Sequence, residues 1–504
     1  MDAVATTLNR RGLSASADDL RGIAAEIGRM TDTLHRLAGT LPPLDERNAF
    51  ACLIVPPGSA TCEVDTLTAA MVRNRADVLR ETAQALQRAQ MSGPGLNCFI
   101  ETFPGDAMRR AAEMTLTGSL SGLSFAYKDV FATADRHPTA GVGRGFRWVG
   151  APPSESLARL ARAGAIPIGS LNLDPHCYTA TGFNAAFGRV LNPNGPAFAV
   201  GGSSSGAAAA VSAGIVPFAL GTDTGGSTRI PAALCGVFGL KPTYGLIADA
   251  GVYPLSPSQD VVGILAACPA ILSSVLDCLT DDRARDQARP IRAPADADRG
   301  LRGLRIGINT DGLLAGMDAS VKRGLAHAKT ATEILGADWT KVPFPSLDDL
   351  NLLASVITAF EAAAFHGEAL AAHPEFYPAS VRRRLLSAVC VTPNLYAVAK
   401  MLRGPVLDEV LSRTFATIDV LVCPTIRKAA PRVDDISDDD VVTAGPLSLE
   451  FLRLNRPFSY LGLPAISVPM GTDENGIPLG LQIIARPHAD RELVALAGCL
   501  AAAI

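Results

Sequence analysis

Three side chains in the first half of this chain have the types and the setting for hydrolytic chemistry without a histidine: Lys128, Ser203 and Ser227. A serine hydroxyl is a poor nucleophile until a base takes its proton. Ser203 lies in the run Gly201-Gly202-Ser203-Ser204-Ser205-Gly206, and Ser227 closes Gly221-Thr222-Asp223-Thr224-Gly225-Gly226-Ser227. Each run is a Gly-rich turn poised to open a helix. Lys128 ends the strand-like run Phe125-Ala126-Tyr127. A lysine can serve as a base when burial away from carboxylates disfavours the charged ammonium. Asp129 would point to the opposite side of a continuing strand.

The turn before Ser227 supplies a second ingredient. Glycines let the successive N–H groups of Thr224, Gly225, Gly226 and Ser227 converge on one point. The helix that follows adds positive potential there. Such main-chain donors form an oxyanion hole that stabilises a tetrahedral intermediate. Asp223 and Arg229 flank the turn and are read as structural, holding it by charge-assisted bonds. Other readings of these runs are weaker. A flexible Gly/Ser linker does not fit a run followed at once by strongly apolar segments. No G-x-x-x-x-G-K-[ST] string exists, and Gly141-Val142-Gly143-Arg144-Gly145 lacks the dinucleotide spacing. None of the seven histidines sits in a G-x-S-x-G elbow. Cys235, close to the serine motif, is read as a buried packing thiol.

Positioning these residues requires an ordered framework. Leu20, Ile23, Ile27, Leu34 and Leu37 predict a helix over 16–41, ended by Pro42-Pro43. Pro56-Pro57-Gly58 marks a linker. A second helix is predicted over 63–90, with Leu67, Met71, Leu79 and Leu86 on one face, terminated by Ser92-Gly93-Pro94-Gly95. Strands are predicted over 123–128, 165–168, 215–220, 304–309 and 339–344. Helices are predicted after a Ser154 cap, over 207–213 and over 320–335. Strands separated by helices imply an α/β fold, with a large mixed, mostly parallel sheet covered by helices on both faces. Polar stretches interrupt it at 281–300 and 427–445. The second carries Asp434-Asp435 and Asp438-Asp439-Asp440 and reads as a solvated loop or as a cap over the site.

Bulk properties narrow the class. The chain has 504 residues, 48% of them apolar, enough for a large core. A net charge of −4 argues against a nucleic-acid footprint. Ten cysteines stand singly with no C-x-x-C, the pattern of reduced core thiols. No basic region precedes an apolar run at the N-terminus. The apolar stretches 207–220 and 261–276 are shorter than the roughly 20 residues a bilayer needs. A cytoplasmic protein without membrane segments is expected.

The segments around Ser203 and Ser227, followed by Cys235-Gly236-Val237-Phe238-Gly239-Leu240-Lys241-Pro242-Thr243, resemble the amidase signature family. The similarity runs from about residue 61 to the C-terminus. It includes Asp419-Val420-Leu421-Val422-Cys423-Pro424-Thr425, Leu463-Pro464-Ala465-Ile466-Ser467-Val468-Pro469 and Gly480-Leu481-Gln482-Ile483-Ile484-Ala485. The resemblance implies the amidase signature fold and a Ser-cisSer-Lys triad. Ser227 would be the nucleophile, Ser203 the bridging serine and Lys128 the neutral base. Thr224, Gly225, Gly226 and Ser227 would form the oxyanion hole, with Ser204 as a supporting hydrogen-bonding residue. Three departures touch no triad member. Ser205 stands where the family often has Gly, Gly122-Leu123-Ser124 replaces Gly-Ile-Pro, and Tyr127 replaces a small aliphatic residue. Ser205 and Tyr127 are expected to reshape the pocket.

The stretches Asn172-Leu173-Asp174 and Thr181-Gly182-Phe183-Asn184 resemble those of ureide-cleaving amidases and of the large ammonia-producing chain of glutaminyl-tRNA amidotransferases. Residues 1–60 read as an N-terminal helical extension or as a fused segment similar to the small helical partner subunits of such enzymes. Residues 61–504 read as the catalytic domain. The leading expectation is an amidohydrolase that cleaves a C–N amide-type bond of a small molecule through a serine acyl-enzyme, with no metal or cofactor. A ureide or carbamate substrate is one alternative. The ammonia-producing subunit of an amidotransferase complex is another. A homodimer is compatible with the sequence.

Overall fold

The computed structural model describes residues 1–39, 74–280, 301–436 and 445–504. Eleven strands form one sheet: β1 (Phe99–Thr102), β2 (Ser124–Lys128), β3 (Ile166–Leu171), β4 (Phe218–Asp223), β5 (Phe238–Lys241), β6 (Val261–Ala266), β7 (Arg305–Ile308), β8 (Asp338–Lys341), β9 (Val420–Pro424), β10 (Ala465–Thr472) and β11 (Pro478–Ile484). Their order is β1-β3-β2-β4-β6-β5-β10-β11-β9-β7-β8. The α/β class and the large mixed sheet are as expected. Parallel pairing, however, is confined to two blocks, β3-β2-β4 and β9-β7-β8. The middle of the sheet, from β4 through β9, pairs antiparallel. Every residue of β2, β4, β5, β6, β9 and β11 is buried. A sheet covered on both faces yields continuous apolar strands whichever way they pair, so the pattern alone does not report their direction.

Local signals explain most element ends. Ser16 caps the Ala17–Ala38 helix by accepting from the Asp19 N–H, and Ser154 caps Glu155–Arg162 by accepting from the Leu157 N–H. The helix predicted over 63–90 differs. It runs Arg75–Leu96 and continues through Gly93 and Pro94 until Asn97, in the left-handed region, ends it. Gly93 lies against the Phe99 ring, so packing holds a turn that composition alone would break. The part predicted before residue 74 lies outside the described residues, as do Pro42-Pro43, Pro56-Pro57-Gly58, the 281–300 stretch and Asp438-Asp439-Asp440.

The strand predicted over 215–220 is displaced by three residues. Ile215 closes the preceding helix turn by donating to the Ala210 carbonyl, and Pro217 separates it from β4. β4 then runs through Gly221 and Thr222 to Asp223, pairing with Val261–Gly263. Three of the seven residues of the Gly-rich run, Gly221, Thr222 and Asp223, are therefore strand, which carries Thr222 and Asp223 to the end of the sheet beside Lys128.

The Leu347–Ala372 helix is long and apolar enough to cross a membrane by length and composition, although Glu361, His366 and Glu368 interrupt its sequence. Here it packs against the Ala379–Ala388, Pro393–Glu409, Arg456–Tyr460 and Ala17–Ala38 helices, burying Leu350, Leu353, Val356 and Ile357.

Candidate active site

β2 and β4 lie side by side and parallel, so the residues that leave their C-terminal ends meet. Lys128 is fully buried, and its Nζ donates to Ser203 Oγ and to Thr222 Oγ1, each at 2.8 Å. Both acceptors are neutral hydroxyls. The Gly202–Ser203 peptide is cis. The Ser204 N–H donates to the Ser227 carbonyl at 3.0 Å, which binds the two serine runs together. Ser204 Oγ accepts from the Thr222 N–H at 3.3 Å and donates to the Thr222 carbonyl at 3.2 Å. Ser204 thereby joins its own turn to the end of β4. The sequence gives no sign of the contact between Thr222 and Lys128, because the run around Thr222 reads as a turn.

Asp174 packs behind the cis peptide. A Cβ on Gly202 would fall 2.3 Å from Asp174 Oδ1, so glycine is required there. The Asp174 carboxylate accepts from Thr179 Oγ1 at 2.6 Å, the Thr181 N–H at 2.8 Å and the Gly182 N–H at 3.0 Å. Burial pushes this carboxyl up, and the hydrogen bonds from those donors oppose the rise. Asp129 leaves the strand on another course and accepts from the Thr139 N–H at 2.9 Å.

The turn before Ser227 is clamped by a buried ion pair. Asp223 and Arg229 are both fully buried, with Arg229 Nη2 2.8 Å from Asp223 Oδ1 and Nε 3.0 Å from Oδ2. The guanidinium also donates to the Asn455 carbonyl, Gln482 Oε1 and Ser459 Oγ. Burial works against ionisation of Asp223, but the adjoining Arg229 charge holds its carboxyl below the usual range. Removing one member of a buried pair leaves an uncompensated charge and costs about 3–5 kcal/mol. Arg229→Leu is therefore expected to lose stability of that order in urea denaturation. An unchanged midpoint would refute the clamp.

The same clamp corrects the expected oxyanion set. The Gly226 N–H is directed to Asp223 Oδ1 at 2.7 Å, because a buried carboxylate draws every donor within reach. The N–H groups of Thr224, Gly225 and Ser227 have no acceptor among the described residues. The glycines remain necessary. Gly226 has φ of 128°, and a Cβ on Gly225 would lie 3.0 Å from Arg456 Cγ.

Tyr127 does not shape the site. Strand alternation sends it away from Lys128 into a cluster with Phe103, Phe125 and Phe131. Ser205 is fully buried and opens the Ser205–Ser212 helix. Cys235 is buried, which pushes its thiol far from the reactive thiolate form.

A family model described as Amidase matches residues 80–494. The chain belongs to the amidase family. Among related sequences, this amidase-family chain is 33% identical over 452 residues to the A subunit of glutamyl-tRNA(Gln) amidotransferase from Thermosynechococcus vestitus, covering 82% of this chain and 92% of the relative. Among solved structures, a crystal structure of an amidase superposes with a TM-score of 0.75 at 28% identity, covering 84% of this chain and 96% of that one. 6-aminohexanoate cyclic dimer hydrolase superposes with a TM-score of 0.75 at 25% identity, covering 88% and 98%.

A cavity of about 360 Å³ opens beside the turn, between the Ala17–Ala38 helix and the helices Leu347–Ala372 and Ala379–Ala388. Glu26, Tyr178, Ser355, Thr358, Arg384 and Arg456 line it. Arg384 donates to the Tyr178 carbonyl at 2.6 Å and Arg456 to Ser355 Oγ at 3.0 Å. Burial, reinforced by the Arg384 charge, lowers Arg456 to about 10. Arg456 and Leu452 pack over the turn before Ser227, where a Cβ on Gly225 would lie 3.0 Å from Arg456 Cγ, so a residue that lines the cavity also reaches that turn.

Proposed function

We propose that this chain is an amidohydrolase in which Ser227 is the nucleophile, Ser203 the bridging serine and Lys128 the base. The observation that carries this reading is the buried Lys128 Nζ bonded to two neutral hydroxyls, one of them on the Ser203 turn that is tied to Ser227. Ser227 Oγ attacks the amide carbon, and its proton passes through Ser203 toward Lys128. Charge on the former carbonyl oxygen is met by the N–H groups of Thr224, Gly225 and Ser227. The C–N bond then breaks as the leaving nitrogen takes the proton back. Water repeats the sequence on the ester and releases the acid.

The cavity supports an amide that carries a carboxylate. Four guanidiniums, Arg29, Arg383, Arg384 and Arg456, and three carboxylates, Asp18, Asp19 and Glu26, are the charged lining among the described residues, so cationic groups exceed anionic ones by one. A hydrogen bond to a charged group is worth about 1.5–3 kcal/mol. Arg456→Gln should therefore raise KM for a carboxylate-bearing amide by roughly 10–100-fold and leave the neutral methyl-ester analogue nearly unchanged. Equal effects on both would remove the carboxylate from the reading. A panel of amides, ureides, carbamates and esters assayed with the wild type tests the bond type.

The relatives named for glutamyl-tRNA(Gln) amidotransferase favour a second reading, ammonia production within a complex. Glutamine is itself a carboxylate-bearing amide. Glutamine turnover that appears only with a co-purifying partner chain would favour this second reading over the stand-alone enzyme.

A further inference from the structure

The oxyanion turn is held at both ends by carboxylates. Asp223 fixes its far end through the Gly226 N–H at 2.7 Å. At the near end, the Thr224 hydroxyl donates to Asp260 Oδ1 at 2.5 Å. Asp260 has no role in the chemistry above, and it lies 36 residues further along the chain. Its Oδ2 accepts from the N–H groups of Leu255 and Ser256, both at 2.8 Å. No salt bridge to Asp260 occurs among the described residues. The carboxylate is thus committed to one loop and one hydroxyl.

The 255–260 loop is in turn anchored to the helix that walls the cavity. Ser256 Oγ and the Ser258 N–H donate to Glu361 Oε2 at 2.7 and 3.0 Å. Gln259 Nε2 donates to the Ala354 carbonyl at 3.2 Å and to Thr358 Oγ1 at 2.9 Å. Tyr396 OH holds the other oxygen of Glu361 at 2.8 Å. A continuous chain of hydrogen bonds therefore runs from the cavity-lining Thr358 through Gln259, Ser256 and Asp260 to Thr224.

This arrangement addresses a difficulty in any Gly-Gly oxyanion turn. Two successive glycines leave the peptide planes free to rotate, and misdirected donors do not stabilise the developing oxyanion. Asp223 holds the Gly226, Thr228 and Arg229 N–H groups, all at or beyond the second glycine of the turn. The donors of Thr224 and Gly225 need a second restraint. We propose that Asp260 is the positioning residue for the oxyanion turn: through the Thr224 hydroxyl it sets the direction of the Thr224 and Gly225 N–H groups and ties them to the cavity helix. This rests on the reading of Ser227 as nucleophile with a main-chain oxyanion hole.

The test compares Thr224→Val, which removes the hydroxyl and keeps the shape, with Thr224→Ser, which keeps the hydroxyl. Thr224→Val should lower kcat on the order of 10–100-fold, below the cost of deleting an oxyanion donor outright, with KM within about twofold. Thr224→Ser should stay within about threefold of wild type. The rate at which an activated phosphonate modifies Ser227 should fall in parallel with kcat, since that step also places charge on an oxygen in the hole. Asp260→Ala should lose at least as much as Thr224→Val, because it also strips the acceptor from the Leu255 and Ser256 N–H groups, and Asp260→Ala combined with Thr224→Val should match Asp260→Ala alone, because the Thr224 hydroxyl then has no partner left to lose. Thermal melts of each variant establish that it is folded, and Thr224→Ala substitutes if the valine is not accommodated. Wild-type kcat in folded Thr224→Val and Thr224→Ala would overturn the inference, as would a Thr224→Ser variant as slow as the valine. Phosphonate labelling separates the two layers. Labelling of wild type at a residue other than Ser227 overturns the functional reading and this inference with it. Normal labelling of wild type with an unaffected Thr224→Val overturns this inference alone.

Discussion

Ser227→Ala is expected to abolish turnover, with a loss on the order of 10⁶, the scale reached when the nucleophile of a serine triad is deleted. The substitution removes one oxygen and no main-chain contact. The Ser227 carbonyl still accepts from the Ser204 N–H, and the Asp223–Arg229 pair still clamps the turn. Stability should therefore change little, and a thermal melt beside the kinetic assay separates loss of chemistry from loss of fold. Mass mapping of phosphonate-treated protein should place the adduct on the peptide that contains Ser227. Cys235 should remain unmodified, as its burial disfavours the thiolate. Activity above a few per cent in a clean Ser227→Ala preparation, or an adduct on Cys235, would end the serine assignment.

The parts of this site that could be read from sequence share a property: they announce themselves locally. Lys128 ends a short apolar run, and Ser203 and Ser227 sit in Gly-rich punctuation, where glycine has a geometric reason to occur. Asp223 and Arg229 lie within six residues of each other. The missed parts arise from tertiary structure. Thr222 became a partner of Lys128 because β4 extends into the glycine run, an extension set by pairing with β6. Asp260 reaches Thr224 across 36 residues and Arg456 reaches Gly225 across more than two hundred, distances that no periodicity records. The direction of the central strands was hidden for a related reason. A strand buried on both faces reads the same whether its neighbour runs with it or against it. The Gly226 N–H illustrates a subtler limit. Glycine spacing shows that donors can converge, but only the position of Asp223 shows which donor is already taken.

Lys128→Ala is expected to cost about 10²–10⁴-fold on an amide, the range of a positioned general base, and distinctly less on a matched activated ester. The asymmetry follows from where the proton must go. Expelling an amine requires that a proton reach the nitrogen as the C–N bond breaks. An activated alkoxide leaves without one. Lys128 is joined to that path through Ser203 Oγ at 2.8 Å, and its second hydroxyl partner, Thr222 Oγ1, keeps Nζ aimed along it. Lys128→Arg should not rescue, because a guanidinium stays protonated at ordinary pH and cannot accept the proton. Lys128→Met refills the buried volume without a titrating group and should match alanine in rate while exceeding it in stability, which isolates the chemistry from the packing. Steady-state rates on the amide and the ester, measured for all four proteins, decide the matter. An arginine variant that turns over the amide, or equal losses on amide and ester, would show that the group buried between Ser203 and Thr222 holds the site together without moving a proton.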